Sequence, residues 1–221
     1  MFKTELHLHS RDVSRCARVD VDTIIKKYTD GGYSTVVLTN HFNKGTSNDW
    51  GCKDWTEFVD MVIGAYNKLK DAAKGKFEVL LGIELRFNEN MNDYLVYGIT
   101  EKFLREHEYI YDMNAYEFSK LAKENSLLFI QAHPFRSGMT VTDPRILDGV
   151  EVFNGHMGHD SRNDIANMWA DKFGLIKTSG TDFHYADVPT NAGILTEEKI
   201  TDISQLVDVI KSGKYTLIKD N

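Results

Sequence analysis

Proline and cysteine are scarce in this chain of 221 residues, which holds three prolines and only Cys16 and Cys52 as cysteines. Three prolines and 16 glycines exclude a collagen-like or low-complexity chain. Two cysteines without a secretory context read as free thiols rather than a bridge. Long apolar runs are missing as well. Stretches such as Val150–Phe153 and Leu127–Ile130 fall far short of the roughly 20 residues that cross a bilayer. The opening MFKTELHLHS lacks the apolar run of a signal peptide. The expectation is a soluble, cytoplasmic chain with no membrane partner. There is no basic excess: 26 Lys and Arg stand against 33 Asp and Glu, a formal charge of −7. Phosphate backbones attract basic faces, so this balance argues against a nucleic-acid partner. Glycine-rich phosphate loops of the GxGxxG or GxxxxGK[ST] type are absent, which weakens a nucleotide-binding open sheet. No GxSxG nucleophile motif is present either.

What is present suits one globular domain spanning residues 1–221, with 42% hydrophobic and 27% charged residues. Short β-rich runs fall at Glu5–Leu8, Thr35–Thr39, Phe77–Ile83, Tyr94–Ile99, Leu127–Gln131, Val150–Phe153, Leu175–Thr178 and Tyr215–Ile218. Helical spacing lies between most of them. Val21, Ile24, Ile25 and Tyr28 precede a Gly31-Gly32 stop, and Asp54 with Glu57 resembles a capping box opening a long helix. Asn114 or Asp112 opens another, Ser161 is expected to cap a third, and Asp202 precedes a fourth. Strand–helix alternation implies parallel strands joined by crossovers. The fold class expected is α/β, its strands closing into a parallel TIM-like barrel or staying an open doubly wound sheet; in a parallel barrel the chemistry sits at the C-terminal ends of the strands.

Six of the eight histidines lie at or just past such strand ends, all but His107 and His159. In His7-Leu8-His9 the two imidazoles share a face, because strand side chains alternate. Asp182 and His184 repeat that spacing after Gly180, which is expected to allow a sharp turn. Glu84 ends the apolar run Leu81-Gly82-Ile83, and a buried carboxylate there needs a cation or a hydrogen-bond network. His41 and His133 each follow a β-rich run. Taken singly, each of these also reads as an ordinary polar residue at a strand end. Jointly, five strand ends supply ligand-type side chains to one rim. Mixed imidazole and carboxylate ligands suit Zn, Fe or Mn. Seven such residues exceed the needs of one tetrahedral ion, so two or three divalent ions are expected.

In this order, HLHS, TNHF, GIE, AHPFR, EVFNG and SGTDFH resemble the PHP (polymerase and histidinol phosphatase) family from His7 to about Gly193. The resemblance implies a distorted (β/α)7 barrel, a di- or trinuclear metal site and hydrolysis of phosphate esters. It implies as ligands His7, His9, His41, Glu84, His133, Asp182 and His184, with Glu84 bridging. The chain departs from the family pattern at two places. Ser14 and Arg15 stand where many members carry an acidic residue or histidine, with Asp12 before and Cys16 after. The strand after Glu84 has no histidine, leaving Asp93 or His156 as substitutes.

Arg136, Arg86, Arg15 and Arg11 are candidates to grip phosphate, since a guanidinium donates two parallel bonds. The expected enzyme is a metal-dependent phosphoric ester hydrolase acting on a small phosphate monoester, such as a sugar phosphate, nucleotide or histidinol phosphate. Attack comes from a metal-bound hydroxide, with Glu84, Asp182 and His156 as catalytic candidates. The alternatives are a 3′–5′ exonuclease or phosphodiesterase, a deaminase or amidase, and a non-catalytic metal-binding protein with a degenerate site. Residues 43–53 are long and polar enough for a lid, with Phe42 and Trp50 as pocket candidates and Trp55 as a packing residue.

Overall fold

The computed structural model describes residues 1–219. Its strands are β1 (Phe2–Leu8), β2 (Tyr33–Leu38), β3 (His41–Phe42), β4 (Glu78–Leu81), β5 (Ile83–Arg86), β6 (Asp93–Tyr97), β7 (Leu128–Gln131), β8 (Gly149–Asn154), β9 (Ile176–Gly180), β10 (Ala192–Thr196) and β11 (Thr216–Lys219). The helices are α1 (Val21–Asp30), α2 (Lys44–Trp50), α3 (Trp55–Ala72), α4 (Glu101–Glu106), α5 (Ala115–Glu124), α6 (Asn163–Phe173) and α7 (Ile203–Ser212).

The strands form two mixed sheets, ordered β11-β10-β1-β2-β4 and β3-β5-β6-β7-β8-β9. This corrects the expectation of a parallel barrel. β1, β2 and β4 run parallel, as do β7, β8 and β9. The β5–β6–β7 ladder and the β1–β10–β11 ladder are antiparallel. The cause at β5–β6 is length: residues 87–92 are too few for the dozen or so that a parallel crossover needs. No ladder closes the two sheets into a barrel among the described residues. They meet at an isolated parallel bridge between Leu8 and Phe183 and at the single residue, Gly82, that separates β4 from β5.

Local chemistry sets the helices. Asp20 caps α1 by accepting from the Thr23 N–H, and Val21, Ile24, Ile25 and Tyr28 form its buried face. Asp54 caps α3 in the same way through Glu57 N–H, while the Glu57 carboxylate accepts from Lys53 N–H instead of closing a box. A reciprocal capping box does form at Asn114 and Glu117, on α5. The expected Ser161 cap is not made. Arg162 occupies the N-cap of α6 in a left-handed conformation, and Ser161 Oγ bonds Asn154 Oδ1. Within residues 43–53, expected as a lid, Lys44–Trp50 form α2, capped by Asn43 and stopped by left-handed Gly51. Phe42 does not face a pocket. It is fully buried, with its ring centroid 4.7 Å from that of Phe58 and 5.5 Å from that of Trp55. Trp55 packs as expected and is 3% exposed. The core lies on both faces of the second sheet, against α3 and α5 on one side and α7 on the other, with a further cluster between α1 and the first sheet. None of the helices among the described residues is long and apolar enough to cross a membrane.

Candidate metal centre

The ends of β1, β3, β5, β7 and β9 converge where the two sheets meet. His7 sits in β1 and His9 just beyond it. The segment after β9 is hydrogen-bonded back to them, His9 N–H to Phe183 O and Phe183 N–H to His7 O, each at 3.3 Å. His41 opposes Glu84 in the β3–β5 register. His133 follows β7. Every one of the seven expected ligands is brought into this cluster, and all but His41 are buried.

Glu84 stands at the centre. Its Oε1 is 3.2 Å from both His7 Nε2 and His133 Nε2, and its Oε2 is 2.6 Å from His41 Nδ1 and 3.5 Å from His9 Nε2. Asp182 Oδ1 lies 3.4 Å from His7 Nε2, 3.3 Å from His9 Nε2 and 3.1 Å from His184 Nδ1. Three sets of ligand atoms lie within 4.8 Å of one another: His7, Glu84 and His133; His7, His9 and Asp182; His9, His41 and His184.

The donor set fits divalent cations. Glu84 Oε2 is buried in the cluster without an aligned hydrogen-bond partner, a cost that an ion would remove. His7 Nδ1 is 2.9 Å from Glu151 Oε1, and His9 Nδ1 is 3.0 Å from Ser14 Oγ, which donates onward to Asn40 Oδ1. Both rings therefore keep a proton on Nδ1 and turn Nε2 inward. Those two Nε2 atoms are 3.1 Å apart, close to the roughly 3.3 Å between two nitrogens on one tetrahedral ion. Backbone strain marks the same place: His133 (φ 29°) and Asp182 (φ 51°) are non-glycine residues in the left-handed region.

The electrostatics agree. Burial disfavours charge on Glu84 and Asp182, but the facing imidazoles outweigh it and hold both carboxyls well below the ordinary range. Burial likewise lowers His7, yet Asp182, Glu151 and Glu84 lift it well above its ordinary value. His41 and His184, lowered by burial, are raised to about 10 by Glu84 and Asp182 respectively. His9 is pushed well below by burial and by His184 and His41. In the chain alone, protons on imidazoles balance the buried carboxylates, the role that cations would take.

The remaining candidates lie further out. Arg86 grips Asp93 with two bonds of 2.7 Å, and Arg136 Nη2 reaches Asp93 Oδ2 at 3.3 Å. Asp93 is thus committed to two guanidiniums, with His133 Nε2 3.9 Å away. Asp12 is turned to Lys68 at 2.7 Å, and Arg11 pairs with Asp20 at 3.5 Å. Arg15 stacks on Trp50, whose indole N–H donates to Val13 O. His156 stacks on His159, its centroid 5.4 Å from that of His184, and burial lowers it to about 4.

Several residues escaped sequence reasoning. Glu151 accepts from His7, from His133 N–H at 3.0 Å and from Asn154 Nδ2 at 2.9 Å. Glu5, fully buried in β1, accepts from the N–H of Leu6, His7 and Thr181 and from the hydroxyls of Tyr28 and Thr181. Glu151 lies inside an apolar run, the signal that singled out Glu84, whereas Glu5 stands between Thr4 and Leu6. Cys16, unassigned from sequence, lies 3.2 Å from His41 Nε2.

Residues 5–211 match the PHP domain family. A search of curated proteins finds no match. Among solved structures, a two-domain protein from Bacteroides vulgatus containing a predicted PHP-like metal-dependent phosphoesterase superposes with a TM-score of 0.69 at 14% identity, over 99% of this chain and 64% of that one. PsfC from Pseudomonas syringae gives 0.72 at 15% identity, over 99% and 91%. Endonuclease Q, solved with a 27-mer duplex bearing an abasic lesion at its active site, gives 0.65 at 15% identity, over 96% and 56%. The chain thus spans about two thirds of the first of these proteins and just over half of the last. The endonuclease complex corrects one expectation: the acidic balance of this chain does not exclude a nucleic-acid partner, because a protein of this fold binds duplex DNA. Net charge sums the whole surface, whereas phosphate recognition depends on the local field.

Proposed function

The chain belongs to the PHP family, and from that premise we propose that it is a metal-dependent phosphoesterase cleaving a small phosphate monoester. The observation that carries this reading is Glu84, buried, with one oxygen shared between His7 and His133 and the other, which has no aligned hydrogen bond, turned to His41 and His9. His7, His9, Glu84, His133 and Asp182 would hold the ions, with Glu84 between them. Bound divalent ions would supply an activated water at neutral pH and offset charge in the transition state.

The chain's own residues do the rest. Glu151 and Ser14 fix the His7 and His9 tautomers. Arg86 and Arg136 flank the cluster and share one carboxylate, Asp93, leaving a net positive charge beside His133. That surplus favours a monoester, which carries more charge than a diester. His156, half-buried beside His184, is held unprotonated at neutral pH by burial, which makes it a weak proton acceptor.

The test is turnover by the protein loaded with Zn, Fe or Mn, on an aryl phosphate monoester, an aryl diester and duplex DNA with an abasic lesion. Monoester turnover that chelator removes, and that His133→Ala abolishes with circular dichroism unchanged, is expected. Preference for the diester or the duplex would reject the monoester assignment. Full activity of His133→Ala would reject the site.

A further inference from the structure

Cys16 lies in the loop between β1 and α1, outside the ligand set described above. The loop is fixed on both sides. Ser14 N–H donates to Ser10 O at 3.0 Å, Arg11 N–H to Val19 O at 3.0 Å, and Arg18 N–H to the carbonyl of His184 at 2.8 Å. Val13, Ala17 and Val19 anchor it in the core. The Cys16 thiol is thereby presented to two imidazoles at once. His41 Nε2 is 3.2 Å from Sγ, and His184 is within hydrogen-bonding reach of it. Each of these rings has its Nδ1 turned to a carboxylate: His41 to Glu84 Oε2 at 2.6 Å and His184 to Asp182 Oδ1 at 3.1 Å. A carboxylate behind an imidazole is the arrangement that orients a metal-binding histidine. The buried Glu84 Oε2 has no aligned hydrogen bond.

We propose that Cys16 is a metal ligand, its thiolate joining His41 and His184 in a mixed sulfur–nitrogen site beside the Glu84-centred cluster. The proposal rests on the metal-dependent reading above and deepens it. The Sγ to Nε2 separation is near the roughly 3.5 Å expected of sulfur and nitrogen on one tetrahedral ion, with bonds of about 2.3 and 2.0 Å. A thiolate among the ligands selects a borderline or soft ion such as Zn2+ over Mn2+ or Mg2+. Cys16 is exposed on its outer side, which leaves a coordination position open to solvent or to a substrate oxygen.

Cobalt(II) loading of the whole chain tests this, with absorption spectroscopy and elemental analysis on the same sample. Thiolate-to-cobalt charge transfer should appear in the near ultraviolet in the parent protein and in Cys52→Ser. It should vanish in Cys16→Ser, with affinity for one ion falling by no less than the roughly tenfold to hundredfold typical of losing an outer-shell partner. Cys16→His should retain that ion without the sulfur band, which separates ligand loss from misfolding. Bound cobalt without a charge-transfer band in the parent overturns the thiolate ligand and leaves the phosphoesterase reading standing. A parent protein that binds no cobalt at all overturns both.

Discussion

Glu151 holds two of the expected ligands from behind. Its carboxylate accepts from His7 Nδ1 at 2.9 Å and from His133 N–H at 3.0 Å, so it sets the tautomer of one candidate ligand and the backbone direction of another. We predict that Glu151→Gln keeps the fold and weakens metal binding by roughly tenfold to hundredfold, read by competition with a chelating dye. Unchanged affinity would show that His7 needs no such support. The seven candidate ligands were legible because imidazoles and carboxylates at strand ends are conspicuous against β-rich runs. Glu5, Glu151, Ser14 and Asn40 were not, because a buried polar residue has no fixed sequence spacing to its partner. Glu5 meets Thr181, 176 residues away. Asp93 and Asp12 show the opposite limit, since their type suggested ligation and only coordinates reveal the competing partners Arg86 and Lys68.

At the scale of elements, helices were legible through capping side chains and apolar spacing, as in α1, α5 and α7. Strand direction was not. β10 escaped notice because Ala192-Gly193-Ile194 reads as a loop. The glycine is there for close approach: at φ 124°, a Cβ on Gly193 would meet Thr4 O at 2.3 Å. Gly180 also differs from expectation. It makes no left-handed turn; a Cβ there would lie 2.3 Å from His7 Cβ and 2.8 Å from Glu151 Oε1. Gly180→Ala must therefore push β9 away from β1, and we predict loss of metal binding together with a lower Tm. Gly64, exposed within α3 with nothing within 4 Å of its Cβ position, is the control. Gly64→Ala should raise stability by up to about 1 kcal/mol and leave metal content unchanged. Equal behaviour of the two variants in thermal melts and metal analysis would contradict the close-packing argument.

For the whole molecule, the cluster links stability to pH. In the chain stripped by chelator, His41 and His184 hold protons up to about pH 10 against an ordinary value of 6.5. That excess affinity stabilises the fold fully below about pH 6.5, and the contribution is lost as pH rises through about 10. Metal competes for the same nitrogens. The stripped chain should therefore lose Tm steadily across that window, while the loaded protein loses less and binds metal more tightly as pH rises. A Tm of the stripped chain that is flat between those limits would contradict this. Global charge, by contrast, proved a poor guide to partners, because −7 over 221 residues says nothing of the field at one rim. The central claim is that distant imidazoles and carboxylates share ions around Glu84. Anomalous scattering from crystals grown with zinc or manganese tests it most directly. The account predicts at least two peaks within coordination distance of Glu84, flanked by His7, His9, His133 and Asp182; loaded crystals with no peak at Glu84 would contradict it.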